Sequence, residues 1–263
     1  MTPSATRWSE GSTWDGDGYY RECFRFSSGD EKIYASLYCV SPAVPRQGVV
    51  VLPHWGHDGR FLLEWCHRLA FGVARSGGCG LVVHWPGWQD SEGDPAGVTW
   101  DQLTQVALGA VRSGQMRTPQ IPWCLAGIRL GATVASLAAV GAGAHKVALV
   151  QPELDPGSYF KAVERRARLT WELAQFRGWW WGEEVPRGLK LLSAGLVRES
   201  LEALGNRGVV IHYRLPPLGP FPPNVRSVTL RGAWSRPPTG DHRAIRRETL
   251  NFLCGRRAWH LPR

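Results

Sequence analysis

The sequence predicts an α/β protein: a mostly parallel central sheet with an N-terminal antiparallel hairpin, helices on both faces and an inserted helical cap. Three observations carry this. Uninterrupted apolar runs such as Val49-Val50-Val51-Leu52 and Leu81-Val82-Val83 read as strands buried on both faces. They alternate with longer stretches in which apolar residues recur at helical spacing. One region, 154–206, breaks the alternation and reads as the cap.

The elements follow in order. Residues 1–18 are polar and glycine-rich, a loose lead-in. In the hairpin, 22–40, Cys23, Phe24 and Phe26 precede the turn signal Ser27-Ser28-Gly29-Asp30, and 33–40 is rich in β-branched and aromatic residues. A buried strand over 48–53 ends in the loop His54-Trp55-Gly56-His57-Asp58-Gly59. The helix at 61–76 sets Phe61, Leu62, Trp65, Leu69 and Val73 on one face, and Gly77-Gly78 ends it. The strand 81–83, a loop over 85–94 and a helix at 100–117 come next. Strand 121–126, an alanine-rich helix at 130–140 and strand 146–150 continue the pattern. Beyond them lie helix 157–178, the run Trp179-Trp180-Trp181, helix 196–204, strands 209–215 and 225–230, and a last helix at 242–253. The core is therefore expected over 19–153 and 207–263.

The chain has 263 residues, ample for a buried core. With 43% hydrophobic and 20% charged residues, wholesale disorder is excluded. No apolar stretch follows Arg7 and none reaches the ~18 residues of a membrane span, so a soluble, cytoplasmic protein without membrane insertion is expected. The net charge is +9, almost all from arginine, since only Lys32, Lys146, Lys161 and Lys190 are lysines. The arginines are scattered rather than gathered into a patch interleaved with aromatics. That pattern reads as a solvated basic face, not a nucleic-acid surface, and leaves room for an anionic ligand. Cys23, Cys39, Cys66, Cys79, Cys124 and Cys254 form no C-x-x-C pair and have no metal-ligand spacing. They read as reduced thiols, with no disulfide framework, metal or other cofactor expected.

The most informative segment is Trp123-Cys124-Leu125-Ala126-Gly127-Ile128-Arg129-Leu130-Gly131-Ala132: a strand, a tight turn and a small-residue helix. It resembles the nucleophile elbow of the α/β-hydrolase fold, G-x-S-x-G, in which the glycines permit a sharp turn and close strand–helix packing. Arg129 stands where that fold carries its serine. The resemblance in fold spans nearly the whole chain. The G-x-R-x-G elbow, the segment 149–159 leading into an arginine-rich helix, and Leu192-Ser193-Ala194-Gly195 are similar to the second of two hydrolase types found beside exosortase and exopolysaccharide loci in bacteria.

The resemblance implies a triad in the chain order nucleophile, acid, histidine. Arg129 is permanently protonated and cannot attack a carbonyl. The stretch after the strand at 209–215, Pro216-Pro217-Leu218-Gly219-Pro220, lacks the expected acid. His242 keeps the histidine place. Cys124, Ser136 and Ser91 read as structural rather than as substitute nucleophiles. The acid role falls to Glu153 or Asp155, just past the fourth strand, or one of these pairs with Arg129 or with an arginine of the cap. Arg129 itself has two readings: a guanidinium fork holding a ligand anion beside the helix N-terminus, or a plug folded back onto Glu153 or Asp155. By the same resemblance, the amides of Trp55 or Gly56 and of Leu130 occupy the oxyanion-hole positions. His54 is a candidate acid or base, and His57 reads as a backbone-bonding residue.

Trp55, Trp88, Trp179, Trp180, Trp181 and Trp234 fall in crevice loops or the cap and are candidate substrate-binding faces. The expected function is a hydrolase-like protein with a degenerate triad. It acts on or binds an anionic or acyl-bearing small molecule in bacterial exopolysaccharide or secondary-metabolite biosynthesis, by non-serine acid–base or acyl-transfer chemistry. An inactive partner subunit, as a homodimer or paired with a related hydrolase, is the alternative. An esterase or thioesterase with another nucleophile is the third reading.

Overall fold

A computed structural model of the protein describes residues 13–14, 19–40, 45–174, 189, 191–212, 221–230 and 242–255; for 13–14, 57–61, 166–174 and 242–243 it describes the backbone alone. The strands are β1 (Thr13–Trp14), β2 (Tyr19–Ser28), β3 (Glu31–Val40), β4 (Gly48–Leu52), β5 (Cys79–Val83), β6 (Trp123–Ile128), β7 (Val147–Val150), β8 (Gly208–His212) and β9 (Arg226–Thr229). The helices are α1 (His57–Arg75), α2 (Trp100–Arg117), α3 (Leu130–Ala138), α4 (Pro156–Ala174), α5 (Ala194–Leu204) and α6 (His242–Cys254). Among the described residues, no helix is long and apolar enough to cross a membrane.

The nine strands among the described residues join one sheet in the order β1-β2-β3-β5-β4-β6-β7-β8-β9. β1 to β3 and the β3–β5 pair are antiparallel, and every pairing from β5 through β4 to β9 is parallel. This is the predicted architecture. The order places β4 and β6 side by side at the centre, so the loop leaving β4 and the turn leaving β6 meet at one end of the sheet.

Each central strand is buried throughout and feeds both faces. Val49 and Val51 pack with Leu62, Trp65 and Leu69 of α1 and with Ile245 and Leu250 of α6. Val50 and Leu52 face the opposite layer, which holds Leu103 and Val106 of α2, Leu130 and Val134 of α3, Phe160 of α4, and Val197 and Leu201 of α5. α5 is thus part of the core layer and leads into β8, which pairs parallel with β7. Cutting any of these large side chains to alanine is expected to cost about 2–5 kcal/mol.

Helix α2 runs over the predicted residues 100–117, with Thr99 accepting the Gln102 amide as its N-cap. Of the boundaries that differ, two have a plain local cause. β6 begins at Trp123 rather than 121, because Pro122 has no N–H to give a central ladder; its carbonyl instead accepts the Gly48 amide. α1 begins at His57 inside the expected loop, because the turn is completed at Gly56, whose φ is 101°.

The reading of all six cysteines as reduced thiols is corrected. Cys39 and Cys79 form a disulfide, Cα–Cα 4.7 Å, across the antiparallel β3–β5 pair in which they stand directly opposite one another. Spacing along the chain could not reveal this, because β5 inserts between β3 and β4 in the sheet.

Candidate functional site

The turn from β6 into α3 sets Arg129 at φ 53°, ψ −118°, a left-handed backbone that a side-chain-bearing residue adopts only under strain of about 1–3 kcal/mol. Packing holds it there. A Cβ on Gly127 would lie 2.2 Å from the Gly131 carbonyl oxygen, and one on Gly131 would lie 2.2 Å from the Leu52 carbonyl oxygen. Both glycines of the expected elbow are therefore required by close backbone approach, and Gly131 brings α3 against the end of β4. The Arg129 amide donates to the Val150 carbonyl, which ties the turn to β7.

The Arg129 side chain reaches Glu153, just beyond β7. Its Nε and Nη2 both donate to Glu153 Oε1, at 2.9 and 2.7 Å. The two side chains keep 22% and 21% of their surface, so the pair lies at the mouth of the site rather than deep in the core. Burial pushes the Glu153 carboxyl above its ordinary range, and Arg129 opposes the shift. Thr133, one turn into α3, donates to the Glu153 backbone carbonyl at 2.9 Å. Of the two readings of Arg129, the internal pair with Glu153 is the arrangement present.

His54 leaves β4 and turns its ring toward the elbow. The Leu130 amide donates to its Nδ1 at 3.4 Å, and its Nε2 lies 2.9 Å from the Tyr159 hydroxyl. Because Nδ1 accepts, the neutral ring carries its proton on Nε2 and donates to the phenol oxygen. Burial, with the Arg129 charge adding to it, holds the His54 pKa well below its ordinary value. The imidazole is therefore neutral, with both nitrogens engaged. Tyr159 also lies beneath the Arg129 guanidinium, 5.3 Å from ring centroid to Cζ. Leu130, His54, Tyr159, Arg129 and Glu153 form one continuous polar chain over the elbow.

Asp155 stands outside this chain. Its carboxylate accepts the Ser158 amide at 3.0 Å at the start of α4, and the Ser158 hydrogen bonds lower its pKa. This is a helix N-cap, with Pro156 at the first helical position. Trp55 and Trp88 meet edge to face at 5.9 Å, are 4% and 9% exposed, and belong to the core cluster that contains Leu130. Gly56 precedes α1 as its N-cap residue. His242 opens α6, but its side chain lies outside the described ones, as do Trp179, Trp180, Trp181 and Trp234. Among the described residues, no group of three His, Cys, Asp or Glu side chains is placed to hold a metal ion.

Tyr159 is the member that sequence reasoning missed as a site residue. The signal was present: Asp155-Pro156-Gly157-Ser158 is a helix start, which puts Tyr159 on the first turn after β7. What the sequence hides is that this turn faces a histidine 105 positions earlier.

No protein-family model matches the chain, and no curated protein matches it in sequence. Solved structures do resemble it. DcsB in complex with its substrate analogue aligns with a TM-score of 0.60 at 14% identity, covering 89% of this chain and 98% of that one. Est1E from Butyrivibrio proteoclasticus with ferulic acid bound gives 0.59 at 14% identity over 88% and 97%. An α/β serine hydrolase homologue from Coxiella burnetii gives 0.58 at 14% identity over 88% and 97%. At these identities the likeness is one of fold, and the fold is that of the α/β hydrolases.

Proposed function

We propose that this chain is a hydrolase-fold protein whose elbow serves to bind an anionic or acyl-bearing small molecule instead of carrying out serine hydrolysis. One observation carries the reading: at the strained elbow position, where an attacking group belongs, Arg129 holds a carboxylate oxygen with two N–H groups. Glu153 then stands in for the ligand carboxylate, and ligand entry is an exchange of one carboxylate for another at a planar guanidinium. The neutral, fully engaged His54 supports binding over proton transfer.

In this reading the triad is degenerate, and Asp155, Trp55 and Trp88 support the fold or frame the ligand, while His242 remains the candidate base of the second reading. The region 154–206 is then the cap, with Tyr159 of α4 over the elbow. The G-x-R-x-G elbow supports placement in bacterial exopolysaccharide or secondary-metabolite biosynthesis. Pairing with a second copy or with a related hydrolase fits a chain that binds without cleaving. Non-serine acid–base chemistry is the second reading, favoured by the Glu153 carboxyl, whose raised pKa suits proton exchange nearer neutrality.

Acetate and butyrate titrated into wild type and Arg129→Ala by calorimetry test the reading. Binding to wild type and its loss in the variant are expected. Equal affinities, or a covalent fluorophosphonate adduct on the wild-type protein, would overturn it.

A further inference from the structure

Tyr159 is anchored independently of its polar contacts. Its amide donates to the Asp155 carbonyl at 3.0 Å and the Ser158 amide donates to the Asp155 carboxylate, which closes the first turn of α4. The next residue, Phe160, is 2% exposed, lies 6.5 Å from the Trp100 ring of α2 and belongs to the core layer. The backbone of Tyr159 is therefore fixed from both sides, and its ring stands edge to face with that of His54 at 5.8 Å.

Between Tyr159 and the elbow stands the His54 imidazole, and its two hydrogen bonds are unequal. Nε2 meets the Tyr159 hydroxyl at 2.9 Å, whereas the Leu130 amide reaches Nδ1 only at 3.4 Å. The shorter bond has the stronger hold on the ring, because hydrogen bonds weaken as they lengthen. It also sets the tautomer. With the hydroxyl present, the Nε2 proton has an acceptor, and Nδ1 keeps a lone pair for the amide. Without the hydroxyl that proton would be buried and unmatched, which costs more than a long amide contact returns. Moving the proton to Nδ1 would set it against the Leu130 N–H, donor against donor. The imidazole keeps its place on the amide only while the phenol oxygen accepts from it.

We propose that Tyr159 is a positioning residue of the elbow: its hydroxyl fixes the seat and tautomer of His54 and, through that ring, withholds the Leu130 amide from a bound anion. An anion at Arg129 is then held by the guanidinium without help from that amide. A carboxylate suits this arrangement, since its two oxygens match the planar fork of an arginine. The consequence for a ligand rests on the anion-binding reading of the elbow; the hold on His54 does not.

Tyr159→Phe removes the hydroxyl and keeps the ring beneath the Arg129 guanidinium. Imidazole nitrogen NMR resonances, assigned with His54→Gln, report which nitrogen carries the proton near neutral pH. The wild-type protein should carry it on Nε2, and Tyr159→Phe should carry it on Nδ1 or exchange it between the two. Acetate titrated by calorimetry should bind Tyr159→Phe about fivefold more tightly than wild type, because the released amide adds a donor to a charged acceptor. A wild-type ring protonated on Nδ1, a variant that keeps the wild-type tautomer, or equal measurable affinities for acetate would overturn the proposal. Absence of acetate binding to both proteins would instead sink the function proposed for the elbow, and the tautomers would still decide the role of Tyr159.

Discussion

The backbone N–H of Leu130 donates to Nδ1 of His54, and this amide is the one that an elbow of this kind would offer to a developing oxyanion. Under the proposed function the elbow then lacks more than a serine: the amide after Arg129 is taken up by the protein's own imidazole. Restoring the hydroxyl alone should not restore reactivity. Arg129→Ser is expected to react with a fluorophosphonate only slowly, and Arg129→Ser combined with His54→Ala to react about tenfold faster or more, since one oxyanion donor is typically worth about 10²–10³ in rate. Mass spectrometry of the adduct over time gives the two rates. Equal rates would mean that the amide was available all along.

The elbow glycines make a sharp stability prediction. In Gly131→Ala the new methyl would meet the Leu52 and Pro53 carbonyl oxygens at 2.2 and 2.3 Å, both backbone atoms at the end of β4. Relief requires moving a central strand, so a loss on the order of 3–5 kcal/mol is expected. Gly195 provides the contrast: its nearest neighbour is Ser193 Oγ at 3.7 Å, and it lies within α5. Gly195→Ala should be neutral or stabilising by up to about 1 kcal/mol. Urea unfolding of the two variants measures both, and similar losses would contradict the packing described.

The disulfide is checked by counting thiols. Cys23, Cys66, Cys124 and Cys254 are free, and Cys39–Cys79 is closed. The denatured protein purified without reductant should yield four titratable thiols, and all six after reduction. Replacing Cys39 and Cys79 together by alanine should cost about 2–4 kcal/mol. Six thiols before reduction would remove the bond.

Much of the sheet was legible because burial on both faces writes continuous apolar runs, as in β4 and β5, and helix α2 because its apolar residues recur at helical spacing; its Thr99 cap emerged only with the structure. The elbow was legible because Gly127 and Gly131 serve a local backbone need. What spans distant elements was not. The opposition of Cys39 and Cys79 depends on strand order, and the His54–Tyr159 bond joins the β4 exit to α4. The sequence offered Glu153 and Asp155 as equal partners for Arg129. The start of α4 separates them, because Asp155 is consumed as its N-cap while Glu153, two residues earlier, stays beside β7.

Acid should destabilise the fold earlier than carboxylate protonation alone would. His67 and His84 are held down to about 4 by burial, and burial with the Arg129 charge holds His54 well below the ordinary value of 6.5. Between these limits the unfolded chain binds more protons than the native one, so stability is full above about pH 6.5 and falls as pH drops toward 4. From pH 7 to pH 5 the loss is at most about 2 kcal/mol for each of these groups, and less for the partly exposed His67. Glu153 acts in the opposite sense, because a carboxyl with a raised folded value contributes stability that is lost as pH rises. The histidines outnumber it, so the net slope should favour higher pH. Urea titrations at pH 7, 6 and 5 should show a falling unfolding free energy with an unchanged denaturant slope. His84→Gln keeps the ring's approximate size and removes its titration, so it should flatten that fall. A stability that is level from pH 7 to pH 5 would mean that these imidazoles are not held neutral by the fold.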